Sequence, residues 1–181
     1  MSAGQNYNGF FIQDGDPMGS NESTLQYPGE LGLESIAKCN DGIDRTMQRV
    51  QNDSAPAVAV TAGMVAWWVT EHPSYRVTPA AAQAGGGRGR VAGIYPCVVS
   101  TDYYTLIVKK GQATPVLFVD APTAAPDATG LFVVPSATNG KADCLAAGSA
   151  PTYPPIGKTV GAQDGTTKLA NVDVDVYASF A

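Results

Sequence analysis

Few side chains in this sequence have the chemistry of catalytic nucleophiles, bases or metal ligands, and they are scattered. His72 is the only histidine, which excludes sites built from several histidines and leaves little for a Ser-His-Asp or Cys-His mechanism. Cys39, Cys97 and Cys144 are far apart, odd in number and without the paired spacing of a zinc site or a disulfide framework. A Cys nucleophile paired with His72 stays open as an alternative. Buried structural cysteine is the commoner case, so we expect these thiols to be reduced and buried.

Two glycine-containing stretches match phosphate-binding loops only in part. Residues 85–90, GGGRGR, lack the Lys-Ser/Thr ending of a P-loop and the spacing of a dinucleotide fingerprint, so they indicate a flexible loop. Gly157, Lys158 and Thr159 imitate the end of a P-loop, but the first glycine of that motif would fall at Thr152. Prolines 154 and 155 occupy the intervening loop and have no N–H to bind phosphate.

Two pairs of aspartates are also poor candidates for chemistry. Asp14 and Asp16 lack the further oxygen ligands of a calcium loop, and strand alternation alone explains Asp173 and Asp175. We therefore predict no metal, no cofactor, no catalytic residues and no enzymatic activity.

The composition favours short strands and excludes a nucleic-acid surface. Charged residues are 15% of the 181, while 20 Gly and 13 Pro suit frequent turns better than long helices. A net charge of −5 argues against DNA or RNA binding, which draws its affinity from clustered Lys and Arg. The N-terminal residues lack a secretory signal pattern and no apolar run is long enough for a bilayer, so we expect no membrane partner and synthesis in the cytoplasm.

Residues 91–119 are the predicted centre of the fold. Strands are predicted at 91–94, 97–99, 104–109 and 114–119, with Tyr104, Leu106 and Val108 on one face and a turn at Lys110 and Gly111. Further strands are predicted at 46–51, 57–61, 64–69, 131–134, 159–162 and 169–177. The last of these alternates valine at 172, 174 and 176 with aspartate. Asn139 with Gly140 is a strong turn signal.

The strands predict an all-β fold, a small barrel or a β-tulip or sandwich-like domain of roughly eight to ten short strands. Residues 28–181 would form this single β-rich domain. A short helix ending at Cys39 is an alternative for residues 33–39. Residues 1–27 are polar and rich in Gly and Asn, so we expect an extended N-terminal arm that is flexible or ordered by a partner.

Two apolar groups are candidate contact residues. Phe10, Phe11 and Ile12 form the only apolar cluster of the arm and would pack either on a neighbouring subunit or on the end of the chain's own barrel. Trp67 and Trp68 are adjacent, so in a strand they point to opposite faces, one into the core and one outward. The outward tryptophan is either an interface residue or is covered by a loop.

The order of these runs resembles the head decoration, or cement, proteins of tailed bacteriophages. The resemblance covers about residues 44–178. It rests on MQRV before NDSA, then AVTAGMVAWW, SYRVTP, RVAGIYPCVVSTDYYTLIVKKGQATPVLF, LFVVPS, and IGKTVGAQDG before the valine-alternating strand. The longer arm and the insertion at residues 85–90 depart from the family pattern.

The resemblance implies a compact β-barrel or β-tulip module on the outer surface of the capsid, where it stiffens the assembled shell. Its partners would be the major capsid protein and copies of itself, often as trimers. Alternatives are a tail, fibre or head-fibre subunit, and a carbohydrate-binding β-module that stacks sugars on Trp67 or Trp68 with Tyr75 and Tyr103.

Overall fold

The computed structural model describes residues 5–7, 10–12, 32, 34–38, 41–53, 58–69, 75–81, 90–101, 103–127, 129–150 and 154–176. Twelve β-strands are formed within these ranges. They are β1 (Gln5–Tyr7), β2 (Phe10–Ile12), β3 (Glu34–Lys38), β4 (Asp44–Asn52), β5 (Val65–Trp68), β6 (Arg76–Thr78), β7 (Val91–Ile94), β8 (Tyr104–Leu117), β9 (Phe132–Pro135), β10 (Ala142–Cys144), β11 (Gly157–Thr159) and β12 (Leu169–Asp175). The all-β prediction is confirmed.

Ten of the strands form one sheet, in the order β10-β9-β11-β12-β8-β7-β5-β6-β4-β3. Strand β8 also pairs antiparallel with β4, from Gln51 opposite Tyr104 to Arg45 opposite Gly111. This pairing joins the two ends of the segment β8-β7-β5-β6-β4. Strands β4, β6, β5, β7 and β8 therefore close into a five-stranded barrel, in which β4 and β6 run parallel. Closure removes the free strand edges that would otherwise invite pairing with other chains.

The 14-residue strand β8 continues beyond the barrel into a second set of strands. Its C-terminal half pairs with β12, which pairs in turn with β11, β9 and β10. A parallel bridge between Phe118 and Ala142 brings the end of this set back to β8. We call β9, β10, β11, β12 and the C-terminal half of β8 the flanking sheet.

Two apolar cores lie on opposite faces of β8. The barrel core takes one residue from each barrel strand, and two of the five are alanine, as expected where only five strands enclose a narrow interior. The strand residues are Val50, Ala66, Val77, Ala92 and Ile107, and Val60, Tyr95, Cys97 and Val99 from the connections pack with them. The larger core lies between the outer face of the barrel and the flanking sheet, and it includes Leu106, Val108, Phe118, Val172 and Val174.

Several sequence predictions are confirmed in detail. The predicted strand at 91–94 is β7, the strand at 46–51 lies within β4, and Asn139 and Gly140 form the turn between β9 and β10. Val172, Val174 and Val176 are buried, whereas Asp173 is exposed. Cys97 and Cys144 are buried free thiols. Cys39, His72 and residues 85–89 lie outside the described residues.

Other predictions are wrong. The helix ending at Cys39 is replaced by strand β3, which pairs with β4 from Glu34 opposite Gln48 to Lys38 opposite Asp44. Residues 58–61 and 97–99 belong to no strand, and the strand predicted at 159–162 is β11, which ends at Thr159. The short apolar run of Cys97, Val98 and Val99 therefore lies outside the sheet, although its burial alternates.

The turn predicted at Lys110 and Gly111 is also wrong, because β8 continues through both residues, although its pairing with β4 and with β12 shifts register there. A Cβ on Gly111 would overlap the side chain of Arg45 on the paired strand. The glycine here makes room for a buried arginine rather than reversing the chain. Leu106 and Val108 do share a face, as predicted, but Ile107 on the other face is equally buried in the barrel core.

Candidate interaction surface

The flanking sheet has one buried face and one exposed face. On the exposed face, Phe132 of β9, Lys158 of β11 and Asp173 of β12 form one row, because Lys158 is the register partner of both neighbours. A second row contains Val160, Asn171 and Pro115, since the Val160 N–H donates to the Asn171 carbonyl and Asn171 lies opposite Pro115. All six side chains are exposed. We call these six residues the outer sheet face.

Two large apolar side chains on this face remain accessible to solvent. Phe132 is 49% exposed and Val160 is 40% exposed. The Lys158 Nζ lies 5.0 Å from the centroid of the Phe132 ring, in a cation–π arrangement. Among the described residues, the Lys158 ammonium therefore contacts the ring and makes no ion pair with Asp173 across the strands.

Asp173 and Arg45 hold the adjacent part of β8 in an unusual conformation. Ala113 has a φ of 45°, a value that is uncommon for a residue other than glycine. The Asp173 carboxylate accepts a hydrogen bond from the Ala113 N–H at 3.0 Å, and Arg45 Nη2 donates to the Ala113 carbonyl at 3.1 Å. The edge of the outer sheet face is thus fixed by side chains from both neighbouring strands.

Arg45 is 4% exposed, and its guanidinium group has several hydrogen-bond acceptors around it. It donates to the Thr114 hydroxyl and to the Gln112 carbonyl, and it pairs with Asp41 at 2.7 Å. The hydrogen bond from Arg45 is the main reason that the pKa of the Asp41 carboxyl lies below its usual value. Burial of the arginine is tolerated because its donors have partners.

The tryptophan pair behaves as alternation predicts. Trp67 is 2% exposed and belongs to the larger core, so it is the inward tryptophan. Trp68 is half-buried, packs beside the barrel core, and meets the ring of Tyr75 edge to face at 6.4 Å. The Lys109 Nζ lies 5.4 Å from the Trp68 ring centroid. Burial lowers the pKa of Lys109, against a smaller opposing effect of Glu34.

The connection between β7 and β8 is also exposed: Val98 is 63% and Tyr103 is 37% exposed there. Asn52 anchors this connection, because its N–H donates to the Tyr103 carbonyl at 2.9 Å and its Nδ2 donates to the Ser100 carbonyl at 3.1 Å. The Tyr95 hydroxyl donates to Asn52 Oδ1, and burial raises the pKa of that hydroxyl.

The predicted contact residues are spread over separate parts of the chain. Phe10, Phe11 and Ile12 form strand β2, which pairs with β1, and Cα atoms of β1 lie within 8 Å of Cα atoms of β3. The side chains of these three residues lie outside the described part of the structure. Contact roles for them, for Trp67 and for Trp68 stay predictions.

The outer sheet face was missed from the sequence. The alternation at Asp173 and Asp175 indicated which face of β12 meets solvent, but Phe132 and Lys158 join that face only through the strand order β9-β11-β12. That order was not predicted.

Groups that could perform chemistry are few in the described ranges. No set of three or more His, Cys, Asp or Glu side chains there is arranged to hold a metal ion. Burial, with a smaller contribution from Asp143 and Asp127, raises the pKa of the Cys144 thiol to about 12, which opposes thiolate formation. Within the same ranges we find no helical segment with the length and apolarity needed to cross a bilayer.

Comparison of the chain with protein-family models, with curated proteins and with solved structures found no match.

Proposed function

We propose that the protein is a structural protein of a tailed-bacteriophage virion, a capsid decoration (cement) protein that binds the outside of the assembled head and stabilises it. Its partners would be the major capsid protein and further copies of the chain. It would be made in the host cytoplasm and act without a cofactor.

The observation that carries this proposal is the ordered set of motifs over residues 44–178. Those motifs contain the strands of the closed barrel and, apart from β10, those of the flanking sheet. The resulting body has two packed cores joined by β8, which makes it a stiff module. A stiff module suits a protein that braces neighbouring shell subunits.

The energetics of such a role are those of many small repeated contacts. Each copy adds interface area between neighbouring shell subunits, and the symmetry of the shell multiplies that contribution. The net charge of −5 suits the outer surface better than the surface that faces the packaged genome.

The first test is binding to heads assembled without this protein. We expect the purified chain to sediment with expanded heads and to raise the temperature at which they open. A variant with Phe10, Phe11 and Ile12 changed to Ser should bind about 10-fold more weakly or worse, because apolar anchors dominate interface energy. The matched control changes Asn6 and Asn8 of the same arm to Ser and should bind like the unaltered protein.

Two outcomes would overturn the proposal. The first is that purified protein does not bind heads and leaves their heat resistance unchanged. The second is that electron microscopy of the particle places the chain in the tail or a fibre, which would favour the alternative of a tail or fibre subunit.

A carbohydrate-binding role predicts a different result. Trp67 is buried in the core, so sugar stacking would fall to Trp68, Tyr75 and Tyr103. A signal on a glycan array that disappears in a Tyr103→Ser variant would favour that role, and we expect no signal.

A further inference from the structure

The outer sheet face carries one cation and one anion side by side. Lys158 on β11 lies directly opposite Asp173 on β12, and both side chains are exposed. The adjacent strands of a sheet are about 4.8 Å apart, so the two charges occupy neighbouring positions on one surface. The face therefore has no net charge, although the chain as a whole carries −5.

Apolar groups lie on both sides of this charge pair. Phe132 is beyond Lys158 on β9, while on β8 the Ala113 N–H donates to Asp173 and Pro115 lies opposite Asn171 in the second row. In the second row, Val160 and Asn171 occupy the positions equivalent to the cation and the anion. The order across the first row is thus apolar, positive and negative, followed on β8 by the irregular segment that contains Ala113.

A pattern of this order is complementary to itself. A second copy can be placed face to face with the first by a two-fold rotation about an axis that runs parallel to the strands, between β11 and β12. Lys158 of the second copy then lies over Asp173 of the first, and Asp173 of the second copy lies over Lys158 of the first. The same rotation places the Phe132 ring over the part of β8 that contains Ala113, beside Pro115 of the opposite sheet. Such an isologous contact satisfies both charges and covers both phenyl rings.

We propose that the outer sheet face is a two-fold interface between two copies of this chain. A partner with a strongly acidic or strongly basic surface fits less well, because it would match one of the two charges and oppose the other. Lys158 is available for such a contact, since its ammonium is held over the Phe132 ring rather than by Asp173. This inference does not depend on the proposed function.

The test is sedimentation equilibrium of the full-length chain over a range of concentrations. We expect a monomer–dimer equilibrium that Phe132→Ser and Lys158→Glu each weaken by about 10-fold or more. The matched control is Val98→Ser, which removes a more exposed apolar side chain from the β7–β8 connection and should leave the equilibrium unchanged.

Charge exchange provides the decisive variant. Asp173→Lys alone should weaken the dimer, whereas K158E combined with D173K should restore it to within about 3-fold, because the exchanged charges again face each other across the axis. Thermal unfolding of each variant separates interface effects from loss of the Asp173 hydrogen bond to Ala113.

Four results would overturn the inference. They are a monomer at the highest soluble concentration, a dimer insensitive to F132S and K158E, a trimer or larger species, and a double variant no tighter than the single ones. Binding to heads that fails in F132S while the free chain is monomeric would also reject self-association, but it would leave the proposed capsid function standing.

Discussion

The closed barrel and the flanking sheet use the same strand, β8, in different ways. The barrel encloses Ile107 with one small or medium apolar residue from each of its other strands. The flanking sheet buries only one of its faces, with Val116, Val172 and Val174 turned inward, and leaves Phe132 and Val160 in solvent. The barrel thus encloses its core on all sides, while the flanking sheet keeps one face with apolar side chains in solvent.

The largest effects should come from the two cores that β8 separates. Phe118→Ala in the larger core should lower the free energy of unfolding by about 3–5 kcal/mol, and Ile107→Ala in the barrel core by about 2–5 kcal/mol. Because both cores pack on one strand, we expect both variants to unfold in a single transition in urea, monitored by tryptophan fluorescence and circular dichroism. Phe132→Ala, on the exposed face, should change stability by less than about 0.5 kcal/mol. Separate transitions for barrel and sheet would show that the two regions are independent.

An intermediate effect is expected at Arg45, where the barrel and the flanking sheet meet. Arg45→Met removes the donors to the Gln112 and Ala113 carbonyls and should cost about 2–4 kcal/mol in urea unfolding. Asp41→Asn is the control, because Asp41 is 44% exposed and the exchange keeps a hydrogen-bond acceptor, so a change below about 1 kcal/mol is expected. Equal losses in the two variants would mean that the ion pair, not the carbonyl contacts, matters.

A small effect at neutral pH is expected at Lys109, at the barrel side of β8. Burial lowers its pKa in the folded protein, so the unfolded chain binds the proton more tightly. This group therefore opposes folding at neutral pH, and its penalty is relieved as pH rises from the lowered pKa toward the ordinary value of 10.5. Lys109→Met should change stability at neutral pH by less than about 1 kcal/mol, since lost contact with Trp68 offsets the removed penalty.

The measurement for Lys109 is the pH dependence of urea unfolding in the protein and in the variant. The unaltered chain should gain stability with rising pH relative to K109M over the alkaline range. A variant whose pH profile is parallel to that of the unaltered chain would contradict a burial-lowered pKa.

Local pattern predicted much of the fold. Alternation at Val172, Val174 and Val176 identified β12 and its buried face, and adjacency of Trp67 and Trp68 correctly placed the two rings on opposite faces of β5, with Trp67 in the larger core. Asn139 and Gly140 identified a turn from their chemistry alone. These signals work because each depends on neighbours in the sequence.

Features that depend on distant residues were not predictable in the same way. Gly111 has the local signature of a turn, yet its role is set by Arg45 on β4. Likewise, Glu34–Lys38 is a strand because β4 offers a partner edge, although its apolar spacing also suited a helix. Which residues lie side by side on the outer sheet face depends on the order of the strands, and that order cannot be read from the sequence pattern of any single strand.

Strand β8 also has a consequence for how fast the chain reaches its native state. It pairs with β4, which precedes it by some sixty residues, and with β12, which follows it by a similar distance. Both pairings require long loops to close, at a cost in chain entropy, before the strands gain any hydrogen bonds. Folding therefore belongs to the slow, millisecond-to-second regime of β proteins rich in distant contacts. Until β8 has paired on both sides, its apolar faces and unpaired backbone groups are exposed, and such exposure makes a folding chain prone to aggregation.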